Sequence, residues 1–340
     1  MKIKTKLSFL FITLALLAFA AFFVYQKIFH SNVEKDAIVY IKTGSEFEDV
    51  LKVLEPYLKN KDSFLLLSKK MKYIHVKPGR YEIKSGMNNV ELIRMLRAGL
   101  QKPIKISFNN QETLEKLAGR LAQQLEPDSL QFLEIMKDEK FLSENGFDRA
   151  HAISLFIPNS YEFYWNISAD KFREKMLKEY QKFWNEDRKA KAQKQNLTPL
   201  EVSTLASIVQ KETATVSERK TVAGLYLNRL NDHMLLQSDP TVIYAQKLEY
   251  GQDLVIKRVL NKHLEIDSKY NTYKYEGLPP GPIAMPDISS IEAVLNPEKH
   301  EYYYMCASVT DFGKHAFAKT LAQHNVNAAK YQKWVAEQGY

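Results

Sequence analysis

Glu212 is the residue of this chain whose surroundings most readily suggest chemistry. It follows Leu205, Ile208 and Val209 by seven, four and three positions, in a segment that opens Thr198-Pro199-Leu200-Glu201. Thr suits an N-cap, Pro the first helical position and Glu the N3 site of a capping box, so a helix is predicted from 198. At about 100° per residue, Val202, Leu205, Ile208, Val209 and Val216 share one face. Glu212 falls at the centre of that face. A carboxyl aimed among apolar neighbours is disfavoured in its charged form, which raises its pKa towards the range a general acid needs. Two plainer readings stand beside this one: a buried Arg or Lys partner, or a helix end already emerging into solvent. Glu201 shares the face and is accounted for by capping, whereas Gln210 and Lys211 point away from it.

Further polar and aromatic clusters follow. Glu218 comes after Ser217, which reads as the cap of the next helix, so Glu218 reads as a first-turn acid. Leu225–Leu230 is a helical stretch with Asn228 and Arg229 on its polar side. In Gln237-Ser238-Asp239-Pro240-Thr241, Asp-Pro is a second cap-plus-N1 pair that opens a helix running through Tyr244. Asp239 is a cap first and a substrate ligand second. Tyr270-Asn271-Thr272-Tyr273 then precedes Gly277-Leu278-Pro279-Pro280-Gly281-Pro282-Ile283-Ala284-Met285-Pro286, whose four prolines pre-set an extended course. A stiff wall of aromatic and amide groups suits a sugar polymer, and Pro-rich loops also simply connect domains. His315 and His324 lack an HExxH pattern or clustered acids, so a metal site is not indicated. The single cysteine, Cys306, excludes an intrachain disulfide and a Cys-based metal site. No G-x-S-x-G, P-loop or dinucleotide fingerprint occurs.

These candidates must be positioned by a chain of 340 residues with 26% charged and 45% hydrophobic content, which excludes disordered and collagenous classes. The net charge of +8 includes Lys2, Lys4 and Lys6; without them 45 basic residues face 40 acidic ones, too weak a bias for a nucleic-acid surface. Leu7 to Tyr25 is an uncharged run of 19 residues, roughly 28 Å as a helix. It predicts a transmembrane helix with its N-terminus inside and the remainder outside. A cleaved signal peptide competes, because Ala18-Phe19-Ala20 is a small-x-small pattern.

Beyond it, a strand at Ala37–Ile41, a helix capped by Ser45 and Glu48, a helix at Ser63–Met71 and a strand at Gly79–Ile83 are predicted. A weak strand–turn–helix repeat follows through Leu96. Pro103–Phe108 reads as a strand, Thr113–Leu125 and Asp128–Met136 as helices, Pro158–Tyr161 as a loop and Ala169–Ala192 as one long helix. The basic run Arg188–Lys194 reads as a solvated helix end or as a contact for an anionic polymer. A hairpin of Tyr302–Ser308 with His315–Ala318 and a last helix containing His324 and Asn325 close the chain.

Taken together, Leu205-Ala-Ser-Ile-Val-Gln-Lys-Glu212-Thr, Asn228-Arg-Leu, Leu236-Gln-Ser-Asp-Pro-Thr-Val-Ile-Tyr244, Tyr270-Asn-Thr-Tyr and Gly277-Leu-Pro-Pro-Gly-Pro-Ile resemble the endolytic murein transglycosylases of the MltG (YceG-like) family. The likeness spans nearly the whole chain. It implies an α+β fold in segments: a cytoplasmic stub (1–6), the transmembrane helix (7–25), a small LysM-like βααβ unit (37–106), a helical connector (107–197) and a mixed α+β catalytic region (198–340). It implies that Glu212 is the catalytic acid. Asn228, Arg229, Gln237, Ser238, Asp239, Tyr244, Asn271, Tyr273, Leu278 and Pro279 become candidates for holding substrate. Two departures are Gln210, where many relatives carry a second Glu, and Asn159 in Pro158-Asn-Ser-Tyr161, where relatives show P-D-T-Y.

The resemblance further implies a lyase on the outer face of the inner membrane, cutting the MurNAc–GlcNAc β-1,4 bond in nascent strands as a chain terminase. Anhydro ends would form with no metal or organic cofactor. The implied partners are peptidoglycan strands, the membrane and peptidoglycan synthases, without nucleic acid. A hydrolytic muramidase, with Asp239 or Glu218 activating water, and a non-catalytic wall-binding scaffold are the competing readings.

Overall fold

The computed structural model describes residues 11–19, 22, 25 and 29–338. Its architecture is mixed α+β and divides into two compact units. One comprises Met1–Ile106, Gln124–Pro127 and Tyr161–Ser168; the other comprises Ser107–Gln123, Asp128–Ser160 and Ala169–Tyr340.

Among the described residues no helix is long and apolar enough to cross a membrane. A bilayer core needs about 20 apolar helical residues, and none of the described helices offers such a run. This overturns the transmembrane helix predicted over Leu7–Tyr25. The single-pass anchor and the inner-membrane localisation fall with it, and the membrane as a partner is not shown. Positions 7–10, 20, 21, 23 and 24 of that segment lie outside the described residues.

In the first unit, β1 (Ala37–Ile41) pairs antiparallel with β2 (Gly79–Ile83), with Val39 opposite Tyr81. Their period-2 alternation buries Val39, Ile41, Tyr81 and Ile83 on one face and leaves Ile38 and Tyr40 exposed on the other. Between the strands lie α1 (Phe47–Leu54) and α2 (Lys61–Lys70), and α3 (Asn89–Ala98) follows. Val50, Leu54, Phe64, Leu92, Ile93 and Leu96 complete this small core. The cap of α1 is Glu46 with Asp49, one residue later than Ser45 with Glu48. Ser45 is instead held by its own N–H on the Lys42 carbonyl, in a turn where Gly44 takes φ +83°.

A second two-stranded sheet joins β3 (Ile104–Phe108) to β4 (Asn159–Phe163), so most of the predicted loop at 158–161 is strand. α4 (Leu114–Ala122), α5 (Ser129–Met136) and α6 (Glu139–Glu144) lie between these strands in sequence. The single helix predicted over 169–192 is two, α7 (Ala169–Phe183) and α8 (Glu186–Lys194). The first ends at Phe183, and Asn185 caps the second by accepting the Arg188 N–H at 3.0 Å. In the basic run, Arg188, Lys189 and Lys191 pair with Glu292, Glu186 and Asp187. Most of its charge is therefore answered within the protein.

The larger core forms around α9 (Pro199–Glu212), which packs against α10 (Arg219–Asn231), α11 (Asp239–Tyr250) and α13 (Ile288–Leu295); the short α12 (Asn261–Leu264) precedes α13. Thr198 caps α9 and exchanges hydrogen bonds with Glu201 in a capping box, with Pro199 at N1. Because helices surround it, α9 is buried far beyond one face, and Ser203, Thr204, Ser207 and Gln210 are buried with the apolar residues. Each polar group finds a partner: Ser203 and Thr204 donate to carbonyls four residues back, and Ser207 accepts the Ile283 N–H at 3.0 Å. Gln210, expected to face away, donates to the Met285 carbonyl and accepts the Asp287 N–H. The chain closes with the antiparallel pair β5 (Tyr304–Ala307) and β6 (His315–Ala318), then α14 (Leu321–Glu337).

Candidate active site

Glu212 is the last residue of α9 and is half-buried. Both plainer readings are therefore answered in part. The helix does end there, and the partners of the carboxylate are hydroxyls rather than an Arg or Lys. Tyr226 Oη, on the fully buried second turn of α10, donates to Glu212 Oε1 at 2.7 Å. Ser238 Oγ, also fully buried, donates to the same oxygen. Among the described residues no protein donor reaches Oε2.

The protonation balance follows from these contacts. Burial is the largest influence and pushes the Glu212 carboxyl up; the Ser238 and Tyr226 hydrogen bonds and the nearby His315 pull it down, and Asp239 pushes it up again. The net direction is upward. The C-terminal end of a helix adds partial negative charge from its free carbonyls, which acts in the same sense. The Tyr226 hydroxyl is held well above its usual range by burial and by the adjoining carboxylate, so it stays a donor.

The loop before α11 supplies the rest. Ser238 is the N-cap of α11 by backbone geometry, yet its side chain makes no capping bond because the hydroxyl is committed to Glu212. Asp239, expected as the cap, is exposed and accepts the Tyr273 hydroxyl at 2.6 Å. The loop is held from behind: Gln237 N–H donates to the Thr272 carbonyl, Ser238 N–H to Thr272 Oγ1, and Thr241 Oγ1 to the Ser238 carbonyl. Gln237 is exposed, with φ +51°.

Glu218 and His315 lie beyond Thr213, the residue after Glu212. Glu218 is 6% exposed and accepts from Thr213 Oγ1 (2.9 Å) and from the His315 backbone N–H (2.6 Å). His315 Nδ1 lies 2.8 Å from Glu218 Oε2. Glu218 is thus a buried anchor for the start of β6 rather than a first-turn acid open to solvent. His324 stacks on Tyr304.

The structure therefore brings Glu212 and Ser238 into contact, with Asp239 and Tyr273 alongside. Other candidates spend their polar groups on the backbone. Asn228 Nδ2 donates to the His300 and Tyr302 carbonyls. Arg229 donates to the carbonyls of Tyr303, Leu235 and Leu236. Asn271 Nδ2 donates to the carbonyls of Leu264 and Ile266, both at 2.8 Å. Arg229 thereby holds the stretch leading to Ser238 and Asn271 the loop that carries Tyr273, while Asn228 holds the stretch before β5. Tyr244 packs against Tyr270, with ring centroids 4.8 Å apart. Leu278 and Pro279 line a separate cavity of about 530 Å³ beside His151 and Glu276. Asn159 is exposed and accepts the Ser160 N–H.

Sequence reasoning missed Tyr226 at the site, and it named Glu218 and His315 without pairing them. A signal for Tyr226 existed: a phenol within the apolar run Val222–Leu227 needs a buried hydrogen-bond partner. Nothing local marks the Glu218–His315 pair, whose members are 97 positions apart.

The chain thus carries a small α+β unit and a mainly helical unit whose central helix ends in a hydroxyl-bound glutamate. The YceG-like family model matches residues 39–330, and the chain belongs to that family. It is similar to a Bacillus subtilis protein named endolytic murein transglycosylase, 30% identical over 331 residues, covering 91% of this chain and 89% of the relative. It is also similar to a protein of the same name from Streptococcus pneumoniae (strain D39), 29% identical over 360 residues and 96% of this chain; there the chain spans 64% of the relative's length. A crystal structure of a yceG-like protein from Listeria monocytogenes superposes with a TM-score of 0.56 at 30% identity, covering 86% of this chain and 98% of that one.

Proposed function

We propose that this chain is an endolytic peptidoglycan lytic transglycosylase, a lyase cutting the β-1,4 bond between N-acetylmuramic acid and N-acetylglucosamine within glycan strands. The observation that carries the reading is Glu212, a carboxyl biased towards its protonated form with two hydroxyl donors on one oxygen. With Oε1 occupied, Oε2 carries the proton to the glycosidic oxygen as the C1–O bond breaks. The muramoyl C6 hydroxyl then bonds to C1 and returns its proton to the same carboxylate. No water is consumed, and a 1,6-anhydro end results. One group can perform both steps because burial favours the acid while Tyr226 and Ser238 stabilise the base.

Asp239 and Tyr273 beside the carboxyl orient the sugars. Asn228, Arg229 and Asn271 act as positioning residues through the backbone they hold. The stretch 198–340 serves as the catalytic region, 107–197 as a helical connector and 37–106 as a LysM-like wall-binding unit. The substrate is nascent strand, which would make the enzyme a chain terminase and peptidoglycan synthases its partners.

Asp239 favours one second reading: an exposed carboxylate near the acid could activate water, as in inverting glycosidases. Product mass decides between them. Incubating the chain with defined glycan strands and reading the ends by mass spectrometry is expected to give muramoyl ends lighter by one water than hydrolysed ends. Hydrolysed ends would assign the water reaction instead. Unaltered strands would leave only the scaffold reading.

A further inference from the structure

We infer that a trough running outward from Lys211 holds the carboxylate-bearing peptide attached to the muramoyl residue, so that peptide-bearing strands are preferred over bare ones. This rests on the peptidoglycan reading above. Two adjoining cavities, of about 480 and 170 Å³, share Glu112, Tyr244 and Gln252 in their walls and together make up the trough. Its near end reaches Lys211 and Pro240, sequence neighbours of Glu212 and Asp239; its far end reaches Lys137 and Arg149.

Among the described residues that line this trough, Lys137, Arg149, Lys211 and Lys247 outnumber the carboxylates Glu112 and Glu115. Glu112 meets Lys116 at 2.5 Å, Lys211 at 3.1 Å and Lys247 at 3.7 Å. One carboxylate cannot neutralise three ammonium groups, so this cluster keeps two positive charges. The Lys116 and Lys211 hydrogen bonds hold the Glu112 carboxyl down at about 2 despite its burial, so it stays ionised and the excess is not larger. Lys137 is answered by Glu115 at 2.6 Å, but Arg149 meets Glu139 only at 3.8 Å, with both side chains largely exposed. Its planar fork is open to a carboxylate.

Between the cationic ends, Leu114, Ile153 and Leu248 line the trough beside the Tyr244–Tyr270 pair. Bare glycan would set its sugars on the aromatic rings and offer only the single lactyl carboxylate of each muramoyl residue, too few to answer the cations. A short peptide with methyl side chains and several carboxylates would use both.

The test uses the full chain carrying Glu212→Gln, so that ligand is bound and not consumed. Calorimetric titration compares a muramoyl tetrasaccharide bearing its peptides, the same sugar stripped by an amidase, and a glycerol phosphate oligomer. Peptide-bearing sugar is expected to bind about tenfold tighter than stripped sugar at low salt, from one or two added charge pairs, with the gap closing as salt rises. Adding Lys247→Glu or Arg149→Glu narrows the gap to about twofold or less, whereas Lys247→Arg keeps it. Arg149 is exposed and weakly paired, so its replacement tests the idea even if Lys247→Glu disturbs folding.

Equal affinities for the two sugars would overturn the inference. So would a gap that survives both charge reversals, or oligomeric phosphate binding as tightly as the peptide-bearing sugar. Cleavage by the unsubstituted chain is read separately: no cleavage of either strand would sink the transglycosylase reading while leaving the affinity gap to stand or fall by itself.

Discussion

At the scale of the residue, the site turns on one carboxyl held between two tendencies. Burial raises Glu212, while Ser238 and Tyr226 lower it. If it must be protonated to cleave, activity falls as pH rises through its pKa, and the upward shift carries that descending limb above the ordinary Glu range near 4.3. Glu212→Gln is expected to lower the cleavage rate by about 10²–10⁴-fold with the fold retained, read by strand cleavage and circular dichroism. Tyr226→Phe removes a bond that favours the anion, so the descending limb should move to higher pH. Asp239→Asn removes a negative neighbour and should move it lower. The pH–rate profiles of the two variants check these opposite signs; shifts in the same direction would contradict the assignment of the limb to Glu212.

At the scale of the element, α9 and α10 are specified by different kinds of constraint. The start of α9 is written locally in Thr198, Pro199 and Glu201. Thr198→Ala should cost about 1 kcal/mol of stability, measured by denaturant unfolding. α10 depends on a close approach instead. A Cβ added at Gly224 would lie 2.4 Å from the Glu298 carbonyl oxygen and 2.8 Å from His300 Nε2. Gly to Ala inside a helix ordinarily stabilises by about 0.5–1 kcal/mol. Here the sign should reverse, because backbone must move and Asn228 holds that same segment through the His300 and Tyr302 carbonyls. Thermal unfolding of Gly224→Ala decides, and a rise in Tm would refute the packing argument.

At the scale of the whole molecule, function and stability pull against each other in the larger unit. A carboxyl whose pKa is raised by folding contributes most below its unfolded pKa, and that contribution is lost as pH rises through the folded value. Glu212 is therefore a cost at neutral pH, and Glu212→Gln should unfold at a higher temperature there than the unsubstituted chain. Glu112 is the opposite case, lowered to about 2 by its lysines. Its stabilisation is present above the unfolded value near 4.3 and is lost as pH falls towards about 2. Glu112→Gln should flatten the dependence of Tm on pH in that acid window.

The sequence by itself determined the helix that carries the candidate acid, the position of that acid on it, and the family motifs around it. Caps, helix periodicity and Pro-rich stretches act over a few residues, so they can be read without a fold. It also suggested a membrane helix over Leu7–Tyr25, which the described residues do not support, since none of their helices is both long and apolar enough to cross a bilayer. Only the tertiary structure decided what touches Glu212. Tyr226 is 14 positions away and Ser238 is 26, and their hydroxyls meet one carboxylate oxygen only because α9, α10 and the loop before α11 converge there. The same packing assigned the donors of Asn228, Arg229 and Asn271 to backbone carbonyls, because a buried polar group must find a partner and the nearest one is set by the fold.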